Sequence, residues 1–353
     1  MKKWLKVALC ILLAVVLLVG GYVAYVFIDY HRLGDMTLTP EHNADAAESG
    51  TVYTMISYNI GFGAYESDYG FFMDGGTESR AWSKERLTKN LTAISTFLQE
   101  QDADFYLLQE VDTGATRTYQ VDERAYFTEA LSGMSWVYCQ NYDSPYLMYP
   151  LLKPHGASHA GLMTFSTADI AAASRVELPI EGGFMKLLDL DRCYSVSRIP
   201  VSGGKELVLY NLHLSAYTSD GTIATEQLKL LLADMQAEYE SGNWCVAGGD
   251  FNKDLLGDSA AWFGEADQSY SWAQPIPAET FVGVDVSLAA PLDENDPVPS
   301  CRNADGPYHE GQYVLTVDGF LTTPNVTVSQ ATVLDTGFAW SDHNPVKMTF
   351  SLS

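Results

Sequence analysis

Cations are scarce in this chain, and so are the short signatures of several enzyme classes. Lys and Arg number 20 against 45 Asp and Glu, a formal charge of −25 at pH 7. Residues 1–50 hold four of the basic and five of the acidic residues, which leaves 16 against 40, or −24, for residues 51–353. Proteins that grip long nucleic acids neutralise phosphates with basic groups. A chain this acidic disfavours long nucleic acid as a partner. The five cysteines, Cys10, Cys139, Cys193, Cys245 and Cys301, include no CxxC pair, which removes the zinc-ribbon reading. No GxxxxGK cradle, HExxH helix or GxSxG elbow occurs. Kinase, zinc-peptidase and serine-hydrolase chemistry therefore lack support, Ser215 included. There is no internal repeat, and no Pro/Gly-rich break divides residues 51–353.

What the chain does have begins at its N-terminus. Lys2, Lys3 and Lys6 precede an uncharged, almost uninterrupted apolar run from Val7 to Ile28. A helix of about 20 residues crosses the hydrocarbon core of a bilayer. Residues 1–30 are expected to be a cytoplasmic tip and an uncleaved transmembrane anchor. The basic flank predicts a cytoplasmic N-terminus and an extracytoplasmic remainder. A cleaved signal peptide and a buried soluble helix are the alternatives; the best cleavage position, Gly20-Gly21, has further apolar residues beyond it. Residues 31–50 lack apolar periodicity and are expected to be a flexible linker. Residues 51–353 then form one domain. Outside the cytoplasm, a Cys139–Cys193 or a Cys193–Cys301 bond is open.

The domain alternates strands with a few helices. Strands are expected at 52–59, 104–109, 136–140, 159–166, 174–178, 193–199, 207–214, 244–248, 313–321, 326–334 and 346–352. Helical spacing marks 83–99, where Leu87, Leu91, Ile94 and Leu98 share a face, as well as 123–131 and 225–239. Hairpins mixed with crossovers predict a four-layer α/β sandwich: two mixed β-sheets packed face to face, helices outside, and the N-terminal transmembrane helix.

Five apolar runs end in a polar group. They lead into Asn59, Gln109-Glu110, Asn211-Leu212-His213, Gly249-Asp250-Phe251-Asn252 and Ser341-Asp342-His343. Strands ending this way deliver chemistry to one edge of a sheet. Taken with Asp318, this set and its order resemble the endonuclease/exonuclease/phosphatase superfamily, over nearly all of residues 51–353. With the N-terminal apolar segment and the Phe71–Gly76 loop, the chain looks most like the membrane-anchored Gram-positive members.

The resemblance implies a role for each residue. Glu110 is the principal Mg²⁺ ligand, with Mn²⁺ a substitute, and Asn59 and Asp342 help to hold the metal. Hard oxygen donors suit that ion. Asp250 orients or deprotonates the attacking water, and Asn252 contacts the phosphate. His343 is the catalytic imidazole and Asp318 its orienting acid. Gly319 departs from the bulkier residue that commonly follows that acid. His213 contacts the transferred phosphoryl group. Arg117, His159 and Asp74 are further substrate-binding candidates, whereas His155 and His309 are expected on the surface. The implied reaction is in-line attack of water on a phosphodiester or phosphomonoester. Acidic charge and the tether favour a small or lipid-linked extracytoplasmic substrate and a monomeric enzyme. An extracellular nuclease and a catalytically inactive binding module are the alternatives.

Overall fold

Strand alternation decides which side chains meet between the sheets. A computed structural model describes residues 3–42, 45–182, 186, 190–216, 222–264 and 273–353. Lys2 and residues 265–272 lie outside that set. The elements in chain order are α1 (Lys3–Asp29), β1 (Met36–Leu38), β2 (Val52–Asn59), α2 (Lys84–Gln101), β3 (Phe105–Asp112), α3 (Arg124–Ala130), β4 (Ser135–Asp143), β5 (His159–Ser166), β6 (Ala172–Glu177), β7 (Cys193–Val201) and β8 (Lys205–His213). There follow α4 (Thr222–Glu240), β9 (Trp244–Asp250), α5 (Ser259–Phe263), β10 (Ser287–Ala289), β11 (Cys301–Arg302), β12 (Val314–Leu315), β13 (Asp318–Thr322), β14 (Val326–Val333) and β15 (Val346–Leu352).

Two mixed sheets result. One has the order β1-β6-β7-β8-β9-β13-β10, the other β14-β15-β2-β3-β5-β4. Met55, Phe105, Leu107, Leu209, Val246, Phe320 and Met348 fill the space between them. The opposite parity faces outward. Ile56, Tyr58, Tyr106 and Leu108 pack under α2 and α3, while Val208, Tyr210, Cys245 and Ala247 pack under α4. The expected sandwich with peripheral helices is therefore present. In α2, Ser83 caps the first turn by accepting from the Arg86 amide. Leu87, Leu91, Ile94 and Leu98 are fully buried, each contributing about 1.5–3 kcal/mol relative to exposure.

Two buried amides tie the sheets together below the site. Gln109 Nε2 donates to Asn211 Oδ1 at 2.8 Å, and Asn211 Nδ2 donates to the Met163 carbonyl at 2.9 Å. Cys139 on β4 and Cys193 on β7 bring their thiols within 3.6 Å across the two sheets, unbonded.

The segment expected as a flexible linker is laid against the domain. Met36–Leu38 pairs antiparallel with β6, and the buried Ala47 donates its amide to the Pro200 carbonyl at 2.9 Å. Backbone pairing at a sheet edge needs no apolar periodicity, so side-chain pattern does not reveal it. α1 stands exposed along most of its length, with Val26 buried near its C-terminal end. Its mean hydropathy of 2.8 makes it long and apolar enough to cross a membrane, a property that signal sequences share.

Candidate active site

The site is assembled by register. The inward parity that carries the core runs on to the strand ends, where its last members are polar. β2 lies parallel to β3, and β8 parallel to β9, so their C-terminal ends reach the same edge. His213 is paired with Asp250 across β8 and β9, and Asp250 with Asp318 across β9 and β13. Gly249 permits this. Its φ is +153°, and a Cβ there would stand 2.0 Å from the Leu212 carbonyl oxygen.

Glu110 arrives differently. Simple alternation along β3 would turn it outward with Leu108. The pairing of β3 with β5 shifts register between Leu108 and Val111, and Glu110 takes a φ of +57°. Such a bulge re-aims a side chain, here inward to Asn59. A left-handed non-glycine residue costs on the order of 1–3 kcal/mol, and strain of this kind is typical of functional positions.

Asn59 sits at the centre. Its Nδ2 donates to Glu110 Oε1 and to Asp250 Oδ2, each at 3.1 Å, and lies 3.5 Å from His343 Nε2. Asn59 Oδ1 is held by the Gly61 amide at 3.0 Å. His343 Nδ1 donates to Asp318 Oδ2 at 2.7 Å, and Ser300 Oγ donates to the same oxygen at 2.7 Å. The other carboxyl oxygen of Asp318 is buried without a partner among the described residues. Gly319 leaves this pair intact, because Leu255 fills the space, its Cδ1 2.6 Å from where a Cβ would stand. Asp250 Oδ2 lies 3.5 Å from His213 Nε2 and 3.7 Å from His343 Nε2, while its Oδ1 accepts from the Asn252 amide at 2.8 Å. Asn252 Nδ2 donates to the Leu214 carbonyl at 2.8 Å.

Burial and charge set the protonation states. Burial lowers the His343 imidazole, but Asp318, Cys301 and Asp250 outweigh it and raise its pKa well above the usual value. Burial drives His213 the other way, helped by Arg192 and by His343, so it is neutral. Burial, with the charge of Asp318, pushes Asp250 up to about 7. It also raises Glu110 and Asp342. Acidic groups crowded in this way favour a cation. Asp250, Asp318 and His343 offer ligand atoms within 4.8 Å of one another, a site able to hold a divalent metal. Glu110 stands beside it, its carboxylate held by Asn59 Nδ2.

These residues open on a pocket of about 120 Å³. Asn59, Glu110, His213, Asp250, Asn252, Asp342 and His343 line it, and so do the expected Arg117 and Asp74. Arg117 is buried and forked onto Asp112, at 2.9 Å from Nε and 2.8 Å from Nη2, with its guanidinium 3.9 Å from the centre of the Phe62 ring. His159 is not brought to the wall; its Nδ1 lies 3.1 Å from Asp143 Oδ1 at the rim of β5. His155, expected on the surface, is buried and lines the pocket. It donates to the Ser79 carbonyl at 2.8 Å and accepts from Ser158 at 3.1 Å. His309 is exposed, as expected.

Sequence reasoning did not place Arg302 or Cys301 in the wall, and it set Arg192 only in a basic strip with Arg117, Arg124 and Arg198. Arg302 binds the carbonyls of Glu66 and Gly306 at 3.1 Å each, and Cys301 Sγ lies 3.6 Å from His343 Nε2. Their signal was weak, since each stands in a loop or a two-residue strand. A buried arginine in so acidic a chain was the available hint.

The family model described as Endonuclease/Exonuclease/phosphatase family matches residues 56–343. No curated protein matches the chain. An endonuclease/exonuclease/phosphatase from Beutenbergia cavernae is similar in structure, with a TM-score of 0.59 and 17% identity over 86% of this chain and 72% of that one. One from Bacteroides vulgatus gives 0.55 and 14%, over 86% and 100%. ANGEL2, described as a 2',3'-cyclic phosphatase, gives 0.54 and 16%, over 89% and 98%. At these identities the likeness speaks for the fold.

Proposed function

Because the chain belongs to the endonuclease/exonuclease/phosphatase family and carries the clustered acidic and histidine site of its metal-dependent phosphoester hydrolases, we propose that it is a membrane-anchored, extracytoplasmic Mg²⁺-dependent phosphoesterase acting on a small or lipid-linked substrate. The observation that carries this reading is the convergence of Glu110, Asn59, Asp250, His213 and His343 on one pocket wall.

Glu110 and Asp342 would hold Mg²⁺, or Mn²⁺ in its place, through hard oxygens, with Asn59 Nδ2 orienting the Glu110 carboxylate. The ion, when bound, supplies positive charge against a nonbridging phosphoryl oxygen and the leaving oxygen. Asp250 accepts the proton of the attacking water, with Asn59 fixing its carboxylate. Neutral His213 and protonated His343 donate to the phosphoryl oxygens as charge builds on them. Asp318 holds the His343 ring in one orientation and stabilises its positive charge. Arg117 and Arg192 add fixed positive charge to the wall.

Charge placement supports a small headgroup over a long polymer. Of Arg117, Arg124, Arg192 and Arg198, Arg117 and Arg192 reach the pocket. Arg124 is forked onto Asp122, and Arg198 pairs with Glu206 and Glu238, away from it. α1 supports the anchor by its length, apolarity and exposure.

The test is a panel with the full chain in detergent and Mg²⁺: duplex DNA at low salt, nucleotides, inositol phosphates, sphingomyelin and phosphatidyl lipids. Turnover of a small or lipid ester that EDTA abolishes is expected. EDTA-resistant turnover, or duplex DNA as the best substrate, overturns the reading. A reporter fused after Ser353 tests topology; activity confined to the cytoplasm would contradict the orientation.

A further inference from the structure

The chain between β4 and β5 contains a stretch that the domain does not cover. Residues 144–152 read Ser-Pro-Tyr-Leu-Met-Tyr-Pro-Leu-Leu, without a charge. Tyr149 is 67% exposed, Leu151 80% and Leu152 102%. Large apolar side chains grouped on a surface in this way mark an interaction site.

Its position says what the partner is. Tyr22 Oη donates to the Tyr146 carbonyl and accepts from the Met148 amide, both at 3.1 Å, and Tyr25 Oη accepts from the Tyr146 amide at 3.0 Å. The loop is therefore fastened to the apolar helix α1, near its C-terminal end at Asp29. At about 1.5 Å per residue, Tyr22 and Tyr25 lie roughly 6–10 Å inside that end. Tyrosines concentrate at that depth in a bilayer, where ring and hydroxyl meet different media. The charges flanking the loop are paired with others: His31 with Asp143 at 3.1 Å, and Lys153 with Glu78 at 2.6 Å. The tip itself offers only apolar and aromatic groups.

The same loop continues into the catalytic pocket. The Tyr149 ring lies 5.7 Å from Phe72, and Phe72 lies 5.8 Å from His155. His155, Phe71 and Met73 line the pocket. We propose that residues 146–152 dip into the lipid bilayer beside α1 and hold the pocket mouth at the membrane surface, so that the enzyme takes phosphate esters presented by lipids. This rests on the anchored phosphoesterase reading above. The acyl chains stay in the bilayer along the Tyr149–Phe72 side, and the headgroup phosphate reaches His213 and His343. With no cation in the tip, docking draws on apolar contact and needs no anionic lipid.

The test uses the full chain in phosphatidylcholine nanodiscs. A nitroxide is placed on Leu152→Cys in a Cys10→Ser background, where the remaining cysteines are buried. Power saturation should show the label more accessible to oxygen than to a water-soluble nickel chelate. A label as open to nickel as one on Val282→Cys, itself 79% exposed, overturns the docking. Carbonate extraction of the same sample separates the two ideas: release of the protein defeats the anchor, whereas retention with a water-exposed label defeats the docking alone. In a second arm, Leu151→Ser/Leu152→Ser should slow hydrolysis of dioleoylglycerol 4-nitrophenyl phosphate in the nanodisc at least about tenfold, and leave bis(4-nitrophenyl) phosphate in solution unchanged. Equal effects on both esters overturn the proposal. A parent chain that cleaves neither ester, and no monoester such as 4-nitrophenyl phosphate, defeats the phosphoesterase reading itself.

Discussion

Replacing Asp318 with asparagine isolates what its charge does for His343. Asp318 Oδ2 accepts from His343 Nδ1 and from Ser300 Oγ, both at 2.7 Å. An amide oxygen in that position keeps both bonds. The new NH₂ replaces the carboxyl oxygen that has no partner among the described residues. The fold should therefore survive while the charge is lost. At 2.7 Å and an effective dielectric constant of about 20, the ion pair is worth about 6 kcal/mol in Coulomb energy. If half of that stabilisation is expressed only as positive charge on the ring is used in the transition state, about 3 kcal/mol is lost, and kcat falls at least about a hundredfold. Asp318 is the strongest of the groups that raise His343, so its pKa should fall in the variant. The assay pairs kcat in Mg²⁺ with an NMR titration of the His343 ring in EDTA. A folded Asp318→Asn protein with near-normal kcat and an unmoved His343 titration would refute the reasoning.

His343→Ala and Asp250→Asn should each lower kcat at least about a hundredfold with cooperative unfolding retained; kinetics together with thermal denaturation check this. Arg117→Leu leaves Asp112 charged and buried, and should cost about 3–5 kcal/mol by chemical denaturation, with part recovered by adding Asp112→Asn. Below pH 6.5 His155 should lower stability, because burial holds it at about 3 in the folded protein. Its unfolded value is about 6.5, so its contribution is complete above that pH and is lost as pH falls through the interval, amounting to about 2 kcal/mol by pH 5. His155→Gln can keep the bonds to Ser79 and Ser158 and should remove that part of the slope; an unchanged slope in urea titrations at pH 5 and 7.5 would exclude this source.

Strand ends were the legible part of the site. Asn59, His213 and Asp250 sit on the same parity as the apolar residues before them, so an alternating pattern that buries Met55 or Leu209 also points the final polar residue inward. Glu110 was not legible by that rule. Its place depends on a bulge between Leu108 and Val111, and only the resemblance to a family assigned it. His155 was misjudged because its partners are a carbonyl at Ser79 and a hydroxyl at Ser158, which a search for charged partners overlooks. His159 was the reverse case: it begins a strand, yet it faces Asp143. β1 was hidden because an edge strand is recruited by backbone hydrogen bonds, which composition does not encode.

The way residues 31–42 and 45–50 are laid down bears on how the enzyme searches for substrate. A free linker of 20 residues would be a leash with a root-mean-square reach of about 25 Å, and a domain on it would sample a hemispherical volume. Here Arg32 holds Glu177 at 3.1 Å, Met36–Leu38 is stitched to β6, and Ala47 is buried. With α1 in a bilayer, the domain turns with its anchor as one body. Its encounters then become two-dimensional, and the rate should follow the surface density of the ester in the enzyme's own membrane, with little response to vesicles added from outside.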